Sequence, residues 1–301
     1  MFSAPASPYL APFDGSFALD GARTAPPDDA PDSKAAKKEL RRLVERIAEL
    51  QQKLYADNRH AVLLIFQAMD AAGKDGTIRA VLTGVNPIGF QIYSFKRPSA
   101  EELEHDFLWR TTCRLPERGR IGVFNRSYYE EVLVVRVHPE LLEAQNLPRD
   151  RADPAQLWRE RFESIRNHEL HLAHSGTVIV KLWLHVSREE QRRRFLARLE
   201  EPEKNWKFEA TDVRERQHWA AYQRAYAEAV AATSRPWAPW YVIPADDKPY
   251  MRLQVGEIVV RTLESLDLRF PNVAEPERAR FDEMRALLEG EPTPRSKPRK
   301  R

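Results

Sequence analysis

Hydrophobic residues along the chain form two kinds of pattern: short continuous runs, and longer stretches in which they recur at helical spacing. The continuous runs predict β-strands at residues 61–67, 90–95, 120–124, 177–186 and 239–245. The helical spacing predicts helices at residues 34–58, 74–84, 99–114, 127–137, 154–174, 187–201, 211–233 and 248–266. Because strands and helices alternate, the pattern predicts an α/β fold whose parallel sheet is sandwiched between helices.

The two ends of the chain depart from this alternation. Residues 1–33 are rich in proline and aspartate and poor in aliphatic residues, so we expect a flexible arm that its few aromatic side chains could pin to a neighbour. Residues 34–270 are expected to form one domain. Residues 271–301 are expected to form a helix followed by a basic, disordered tail.

Composition narrows the class of protein. The chain has 301 residues, 42% of them apolar and 31% charged, as is usual for globular proteins. No apolar run reaches the roughly 20 residues of a membrane span, the N-terminus lacks the features of a secretory signal, and the single cysteine, Cys113, excludes an internal disulfide. We therefore predict a cytoplasmic protein without membrane contact. The net charge of +3 does not argue for nucleic acid, but basic clusters at residues 188–207 and at the C-terminus indicate an anionic partner.

The loop after the first predicted strand has the layout of a phosphate-binding loop, in which Gly73 and Lys74 open the next helix. Two letters of the motif G-x-x-x-x-G-K-[ST] differ, because Ala68 replaces the first glycine and Asp75 replaces the hydroxyl residue. Lys74 can bridge phosphate oxygens. Asp70, inside the loop, is the natural candidate for the metal ligand that the missing hydroxyl would have supplied. An isolated Gly-Lys pair is more often an ordinary turn, but the strand before it and the helix after it favour phosphate binding.

A second polar group follows the third predicted strand, at a position where ligands of parallel sheets collect. Asn125 stands where many phosphate-loop enzymes carry a metal-binding aspartate, and its amide oxygen could hold a metal-bound water. Arg126 could reach the phosphates. The alternative is a strand-end cap followed by a surface arginine.

A third group of charges lies on the predicted helix 187–201 and in the segment after it. Arg188, Arg192, Arg193, Arg194 and Arg198 lie on the helix, and Lys204 and Lys207 follow it. Like charges at this spacing repel, so an anion, or the glutamates of the same helix, must offset them. The helix is either a solvated mixed-charge helix or an arginine lid, residues 187–210, over a phosphoryl-transfer site.

Taken together, these stretches resemble the polyphosphate kinase 2 family, which moves phosphoryl groups between inorganic polyphosphate and nucleotides. The family's loop, G-x-D-x-x-G-K-x-G, is matched at Asp70, Gly73, Lys74 and Gly76, and Ala68 is the one departure. The resemblance extends over most of residues 40–266, through GVNPIGFQIYSFKRPSAEELEHDFLWR, FNRSYYEEVLVVRVHPE, RRRFLARLEEPEKNWKF and APWYVIPADDKPY.

The resemblance implies a P-loop kinase-like, three-layer α/β/α sandwich with a central parallel sheet and a helical lid. It implies Mg²⁺, with Mn²⁺ as a substitute, held by Asp70. The implied catalytic residues are Asp70, Lys74, Asp106, Asn125 and Arg126. The implied phosphate- or polyphosphate-binding residues are Ala71, Ala72, Gly73, Lys74, Asp75, Gly76, Thr77, Lys96, Arg97, Arg126, Arg194, Arg198, Lys204 and Lys207. The implied nucleotide-binding residues are Ser94, Phe95, Lys96, Asp106, Arg126, Tyr129 and Glu130.

The FNRS form at Asn125 is similar to the subgroup that phosphorylates both nucleoside mono- and diphosphates, so the expected reactions are AMP to ADP, ADP to ATP and their guanine counterparts. Family resemblance also implies a homo-oligomer, a dimer or a tetramer, and no specific nucleic acid. Two alternatives stay open: an ATP-dependent nucleoside monophosphate kinase, and a non-catalytic polyanion-binding protein.

Overall fold

The protein is described from a computed structural model that covers residues 2–148, 154–206 and 208–290. Its five strands are β1 (Ala61–Gln67), β2 (Phe90–Ser94), β3 (Ile121–Asn125), β4 (Thr177–His185) and β5 (Trp240–Pro244). They form one parallel sheet in the order β2-β3-β1-β4-β5. The predicted parallel α/β fold is confirmed, and every residue of β1 is buried, as expected for a strand covered on both faces.

The longer helices are α1 (Ser33–Asp57), α2 (Lys74–Leu82), α5 (Glu130–Val137), α6 (Pro154–His174), α7 (Arg188–Glu200), α10 (Trp219–Thr233) and α11 (Lys248–Glu264). The short helices in the same region are α3 (Ala100–Leu103), α4 (Trp109–Thr112), α8 (Pro202–Asn205) and α9 (Ala210–Glu215). Helices α1, α2 and α11 contact one another, and so do α5, α6 and α10. These two sets flank the sheet and give the molecule its three layers.

Two of the predicted helices are interrupted. The helix expected at 99–114 is split into α3 and α4, because the Asp106 carboxylate accepts the backbone N–H of Leu108 at 2.9 Å and so forms a local turn. The helix expected at 211–233 contains a 3₁₀ turn at Arg216–His218. The polar run 214–218 has no buried residue, so packing does not hold a continuous helix there.

The described part of the N-terminal arm forms hydrogen bonds with the edge of the sheet and with the segment that follows β5. The Ala11 N–H donates to Trp240 O at 2.9 Å, and the Val242 N–H donates to Tyr9 O at 2.8 Å. Further along, the Asp246 N–H donates to Thr24 O at 2.9 Å. The arm supplies partners to the exposed edge of β5, which is why a sequence poor in aliphatic residues is held in place.

A second unit begins at Phe270. Its described part contains α12 (Glu275–Arg278) and α13 (Phe281–Glu289). The predicted basic tail, residues 291–301, lies outside the described residues. Over the described ranges, none of the helices combines the length and the apolar character that a membrane crossing needs.

Candidate phosphate-binding active site

The candidate site lies at the carboxyl edge of the sheet, where β1 is flanked by β3 on one side and β4 on the other. Connections leave β1 and β3 in opposite directions, so this is the switch point at which parallel sheets bind ligands. The register places Asn125 beside Phe66 of β1 and beside Ser94 of β2. The ends of three strands therefore bring together the loop after β1, Asn125 and Ser94.

The loop after β1 is built from small residues because its backbone turns sharply. Gly73 has φ of 109° and Ala71 has φ of 62°, so the left-handed positions fall at these residues and Ala68 is tolerated in place of glycine. The Thr77 hydroxyl donates to Gly73 O at 3.0 Å, and Lys74 Nζ donates to Ala68 O at 2.9 Å. The loop thus wraps around the lysine at the start of α2, the arrangement expected of a phosphate cradle.

Lys74 lies in a strongly electrostatic environment. Burial lowers the pKa of its ammonium group, and the neighbouring Arg126 lowers this pKa further. Asp70, Glu130 and Asp75 act in the opposite direction, but they do not offset the first two effects. Two cations that repel each other at the end of a sheet favour an anion nearby, and phosphate oxygens meet that requirement.

Arg126 is held between two carboxylates. Its Nη2 donates to Asp70 Oδ1 at 2.9 Å, and its Nη1 donates to Glu130 Oε2 at 3.3 Å. Glu130 and Asp70 raise the pKa of the guanidinium, in that order of effect, so Arg126 is always charged. Its backbone has φ of 65°, an uncommon conformation for a non-glycine residue, and its N–H donates to Phe66 O at 3.0 Å. The Arg126 guanidinium is therefore held at the loop in a fixed position.

Asn125 contacts the first turn of α2. Its Nδ2 donates to Asp75 Oδ1 at 2.6 Å and to Ser94 Oγ at 3.3 Å. The amide oxygen is buried and has no hydrogen-bond partner among the described residues. An orphaned buried oxygen at this place fits the expected role of holding a metal-bound water.

A divalent cation fits this set of donors. No group of three or more His, Cys, Asp and Glu side chains converges within residues 2–148, 154–206 and 208–290, so the described protein provides no complete cage. Mg²⁺ is commonly held by one or two carboxylates together with substrate phosphates and water. Asp70, whose side chain is 28% exposed beside Lys74, and Asp75 supply carboxylate oxygens of this kind.

Arg194, an expected lid residue, is bound to the loop by its guanidinium, and its contact with phosphate stays a prediction. Its side chain is only 6% exposed, and a guanidinium has five N–H groups to satisfy. The acceptors are Glu190 Oε1 and the carbonyl oxygens of Ala71, Ala72, Ala245 and Asp246, at 2.6 to 3.1 Å. With every N–H directed to a protein acceptor, Arg194 ties the loop to the end of β5, and the geometry favours this role over phosphate contact.

We expect Arg194→Met to lower the free energy of unfolding by about 3 kcal/mol, because four carbonyls and a carboxylate lose a buried charged donor. Urea denaturation measures this change. Arg192→Met is the matched control on the same helix, since Arg192 forms an exposed pair with Glu189 and its loss should cost under about 0.5 kcal/mol. A stable Arg194→Met variant that had lost only its affinity for polyphosphate would restore the lid interpretation.

The remaining lid residues are tied to neighbours on the protein. Arg198 Nη1 donates to Asp212 Oδ2 at 3.2 Å, and Lys204 forms an ion pair with Glu201. Lys207 lies outside the described residues. Contact of Arg198 and Lys204 with polyphosphate stays a prediction.

Four other predicted site residues have buried side chains, and their contact with substrate stays a prediction. Ala72 is 1% exposed and Thr77 is fully buried, with its hydroxyl directed to Gly73 O. Phe95 packs edge-on against Phe124, and Tyr129 is fully buried in a hydrogen-bond network. The family resemblance gave these four positions, and it could not show which of their side chains are buried.

A cleft of about 540 Å³ opens beside Arg126 and Glu130. Lys96, Arg97 and Arg110 line it together with apolar side chains that include Phe107 and Val134. A largely apolar cleft with a few convergent cations is what a nucleoside phosphate requires. Asp106 is exposed and caps the turn at Leu108, between two lining residues, so its expected contact with acceptor phosphate or metal stays a prediction.

A cluster of cations on the other side of the loop was missed by the sequence analysis. A Cβ at Gly76 would come within 3.0 Å of Arg252 Nη2, so the glycine permits this arginine to approach the start of α2. Burial lowers the pKa of Arg252, and Arg79 and Arg194 lower it further. Burial likewise lowers the pKa of Lys248, followed by the effects of Arg194, Arg252 and Lys204. The i, i+4 spacing of Lys248 and Arg252 after the last strand was the available signal.

The sheet order, the loop with its lysine and the facing arginine define a phosphotransferase of the P-loop kinase class. The model of the family described as Polyphosphate kinase 2 (PPK2) matches residues 30–271. The chain belongs to the polyphosphate kinase 2 family, and the inferred resemblance is confirmed. Because phosphoryl transfer by kinases depends on divalent cations, a divalent metal is required.

Relatives and solved structures agree with this placement. The chain is 58% identical over 249 residues, 83% of this chain and 86% of the relative, to an ADP-polyphosphate phosphotransferase of Rhodopseudomonas palustris. It is 46% identical over 245 residues, 81% of this chain and 86% of the relative, to an AMP/ADP-polyphosphate phosphotransferase of Meiothermus ruber. The crystal structure of polyphosphate kinase 2 from Arthrobacter aurescens TC1 superposes with a TM-score of 0.83 at 37% identity, covering 94% of this chain and 98% of that one. The P-loop kinase-like fold is thereby confirmed.

Proposed function

We propose that the protein transfers phosphoryl groups from inorganic polyphosphate to nucleoside mono- and diphosphates, converting AMP to ADP, ADP to ATP and the corresponding guanine nucleotides. The observation that carries this proposal is that Lys74 begins the helix whose Gly76 approaches Arg252, while Arg126, which acts electrostatically on Lys74, lines the cleft. One group of cations lies at α2 and α11, and the other lines the cleft beside Arg126. The names of the relatives, which act on ADP or on AMP and ADP with polyphosphate, support the same assignment.

This cation cluster suits a donor that consists only of phosphate. Burial, Arg79 and Arg194 lower the pKa of Arg252, and burial, Arg194, Arg252 and Lys204 lower the pKa of Lys248. A chain of linked phosphates has no base to recognise, so rows of cations are the chemistry that binds it. Its anionic charge would relieve the repulsion within the cluster.

The cleft suits the acceptor. Its apolar wall can bury a nucleobase, while Lys96, Arg97 and Arg126 can hold the phosphates. Its volume of about 540 Å³ lies within the usual range for small-molecule sites. Glu130 also lines the cleft and orients Arg126 from that side. The terminal phosphate of a nucleotide bound here would face the loop.

Transfer then follows from the geometry of the chain's own groups. An oxygen of the acceptor's terminal phosphate attacks the last phosphorus of the donor, and the bond to the next bridging oxygen breaks, leaving a donor one unit shorter. Lys74 and Arg126 hold and neutralise the phosphate oxygens on either side of the reacting phosphorus. A magnesium ion, for which manganese could substitute, would be held by Asp70 and would withdraw charge from the phosphates. No covalent enzyme intermediate is needed, and the reaction is reversible because the bond that breaks and the bond that forms are both phosphoanhydrides.

The test of this proposal is the choice of donor. The purified chain is mixed with Mg²⁺, one acceptor (AMP, ADP or GDP), and either long-chain polyphosphate or ATP, and the products are separated by chromatography. We expect ADP, ATP and GTP to form with polyphosphate as the only donor, and no product without it. AMP phosphorylation with ATP alone would indicate a nucleoside monophosphate kinase, and tight polyphosphate binding without any product would indicate a polyanion-binding protein. A homo-oligomeric assembly and a cytoplasmic location stay predictions.

The assignment of the cation cluster at α2 and α11 to the polyphosphate donor leads to a separate prediction. Arg252→Ala should raise the KM for polyphosphate about 10-fold, because one charged contact to phosphate is lost, and should leave the KM for ADP unchanged. Initial rates at varied polyphosphate measure it. Arg261→Ala is the matched control on the same helix, since Arg261 is exposed and donates to Ala6 O at 2.8 Å. An equal rise in both KM values, or a rise in the control, would remove Arg252 from the donor surface.

A further inference from the structure

A buried ionic network lies behind the site and is not used by the mechanism above. Lys181 of β4 and Glu169 of α6 are both fully buried, and Lys181 Nζ donates to Glu169 Oε2 at 2.6 Å. The other two ammonium N–H groups donate to the hydroxyl of Tyr129 and to the carbonyl of Thr233, each at 2.9 Å. A buried pair is seldom retained for stability alone, because desolvation of the two charges offsets most of their attraction.

The network ends on two adjacent tyrosines that follow Arg126 in the chain. The hydroxyls of Tyr128 and Tyr129 both lie 2.9 Å from Glu169 Oε1, and both side chains are buried. Tyr129 is the residue immediately before the first turn of α5, which begins at Glu130. Because both rings converge on one oxygen, the backbone that joins them has little freedom.

The segment next to these tyrosines contains a residue in a strained backbone conformation, Arg126. Arg126 has φ of 65°, and it reaches Asp70 and Glu130 from that conformation. Such a backbone conformation persists only where its surroundings fix it. The backbone of Ser127 is fixed less directly, through its hydroxyl, which accepts from Gln67 Nε2 and from the Tyr129 N–H at 3.1 Å.

We propose that Lys181, Glu169, Tyr128 and Tyr129 are positioning residues that fix the segment 126–130 and so hold the Arg126 guanidinium and the Glu130 carboxylate at the reacting phosphates. The network reaches the site from the interior, and of its four members Tyr128 lines the acceptor cleft. It acts through Arg126, so the inference rests on the proposed function. A misplaced cation loses more interaction with the transition state than with the bound substrate, and the effect therefore falls on kcat.

The test uses single hydroxyl deletions and a paired replacement. Tyr129→Phe and Tyr128→Phe remove one hydroxyl each, and Lys181→Met combined with Glu169→Leu removes both charges without leaving one unpaired. We expect Tyr129→Phe and the paired variant to lower kcat on the order of 10-fold with ADP and polyphosphate, while both KM values change less than about twofold. We expect the same direction and a smaller effect for Tyr128→Phe, whose hydroxyl contacts only the carboxylate.

The control is Tyr241→Phe, which removes another tyrosine hydroxyl from a fully buried residue of the sheet, where it donates to Pro5 O at 2.8 Å. It should lower the melting temperature as the other deletions do and leave kcat unchanged. Folded tyrosine variants with wild-type kcat would overturn the inference, and so would an equal loss of kcat in the control. If the paired variant does not fold, the kcat values of Tyr128→Phe and Tyr129→Phe test the inference. A wild-type chain that transfers nothing from polyphosphate refutes both proposals, whereas normal transfer with unaffected tyrosine variants refutes this one alone.

Discussion

Lys74→Ala should lower kcat for transfer from polyphosphate to ADP by about 1,000-fold or more while leaving the fold intact. Lys74 Nζ is bound to the loop through Ala68 O, and Arg126 is close enough to lower the pKa of Lys74. Removing one fixed donor that acts on developing charge typically costs on the order of 100- to 1,000-fold, and Lys74 supplies a full charge as well as the donor. Burial already lowers the pKa of this ammonium, so its deletion relieves a desolvated cation and should not unfold the protein.

Steady-state rates with both substrates varied measure the effect, and thermal unfolding reports the fold. Lys37→Ala is the matched control, because Lys37 is an exposed lysine of α1 outside the site. We expect its rate to equal that of the unmodified chain. A folded Lys74→Ala variant that keeps a tenth or more of the rate would mean that the loop is not where transfer occurs.

Asp70→Asn should have the second large effect on kcat. It should also change how the rate depends on the concentration of Mg²⁺. The substitution keeps an oxygen that can accept from Arg126, which now reaches Asp70 Oδ1 at 2.9 Å, but it removes the negative charge that holds a divalent cation. We expect kcat at ordinary Mg²⁺ to fall on the order of 100- to 1,000-fold, and the Mg²⁺ concentration that gives half-maximal rate to rise. Titrating Mg²⁺ at saturating polyphosphate and ADP separates these two changes.

Asp20→Asn, an exposed position of the N-terminal arm, serves as the control. It should change neither the rate nor the Mg²⁺ dependence. If Asp70→Asn lowered the rate with an unaltered Mg²⁺ dependence, Asp70 would be acting only through its ion pair with Arg126, and the metal would have to be held elsewhere.

The strands and the phosphate loop were predictable from sequence because their signals are local. A buried parallel strand such as β1 is a continuous apolar run, and a loop of small residues that ends in Gly73 and Lys74 has few conformations open to it. The ends of the strands gave Asn125 and Arg126 for the same reason, since the carboxyl edge of a parallel sheet gathers ligands.

The parts that could not be predicted depend on contacts between distant segments. Nothing near Arg194 in the sequence shows that Ala71 and Ala245 both present carbonyls to it. Arg252 approaches α2 because Gly76 leaves room, and the two residues are far apart in the chain. The burial of Tyr129 follows from Glu169 and Lys181, on a helix and a strand that come later.

The contacts of the N-terminal arm could not be predicted from its sequence either. Its composition predicts little burial, yet hydrogen bonds to Trp240 and Val242 of β5 hold it. An unpaired strand edge offers backbone partners to a segment of almost any composition, so composition alone cannot tell a free arm from one that covers an edge.

The most direct test is a crystal structure of the chain grown with Mg²⁺ and a short polyphosphate. The assignment of the loop predicts that the end of the anion contacts Lys74 and Arg126, that the ion is held by Asp70, and that the remainder of the anion runs toward Arg252. An ion and an anion bound together at a place remote from residues 70–76 would contradict it.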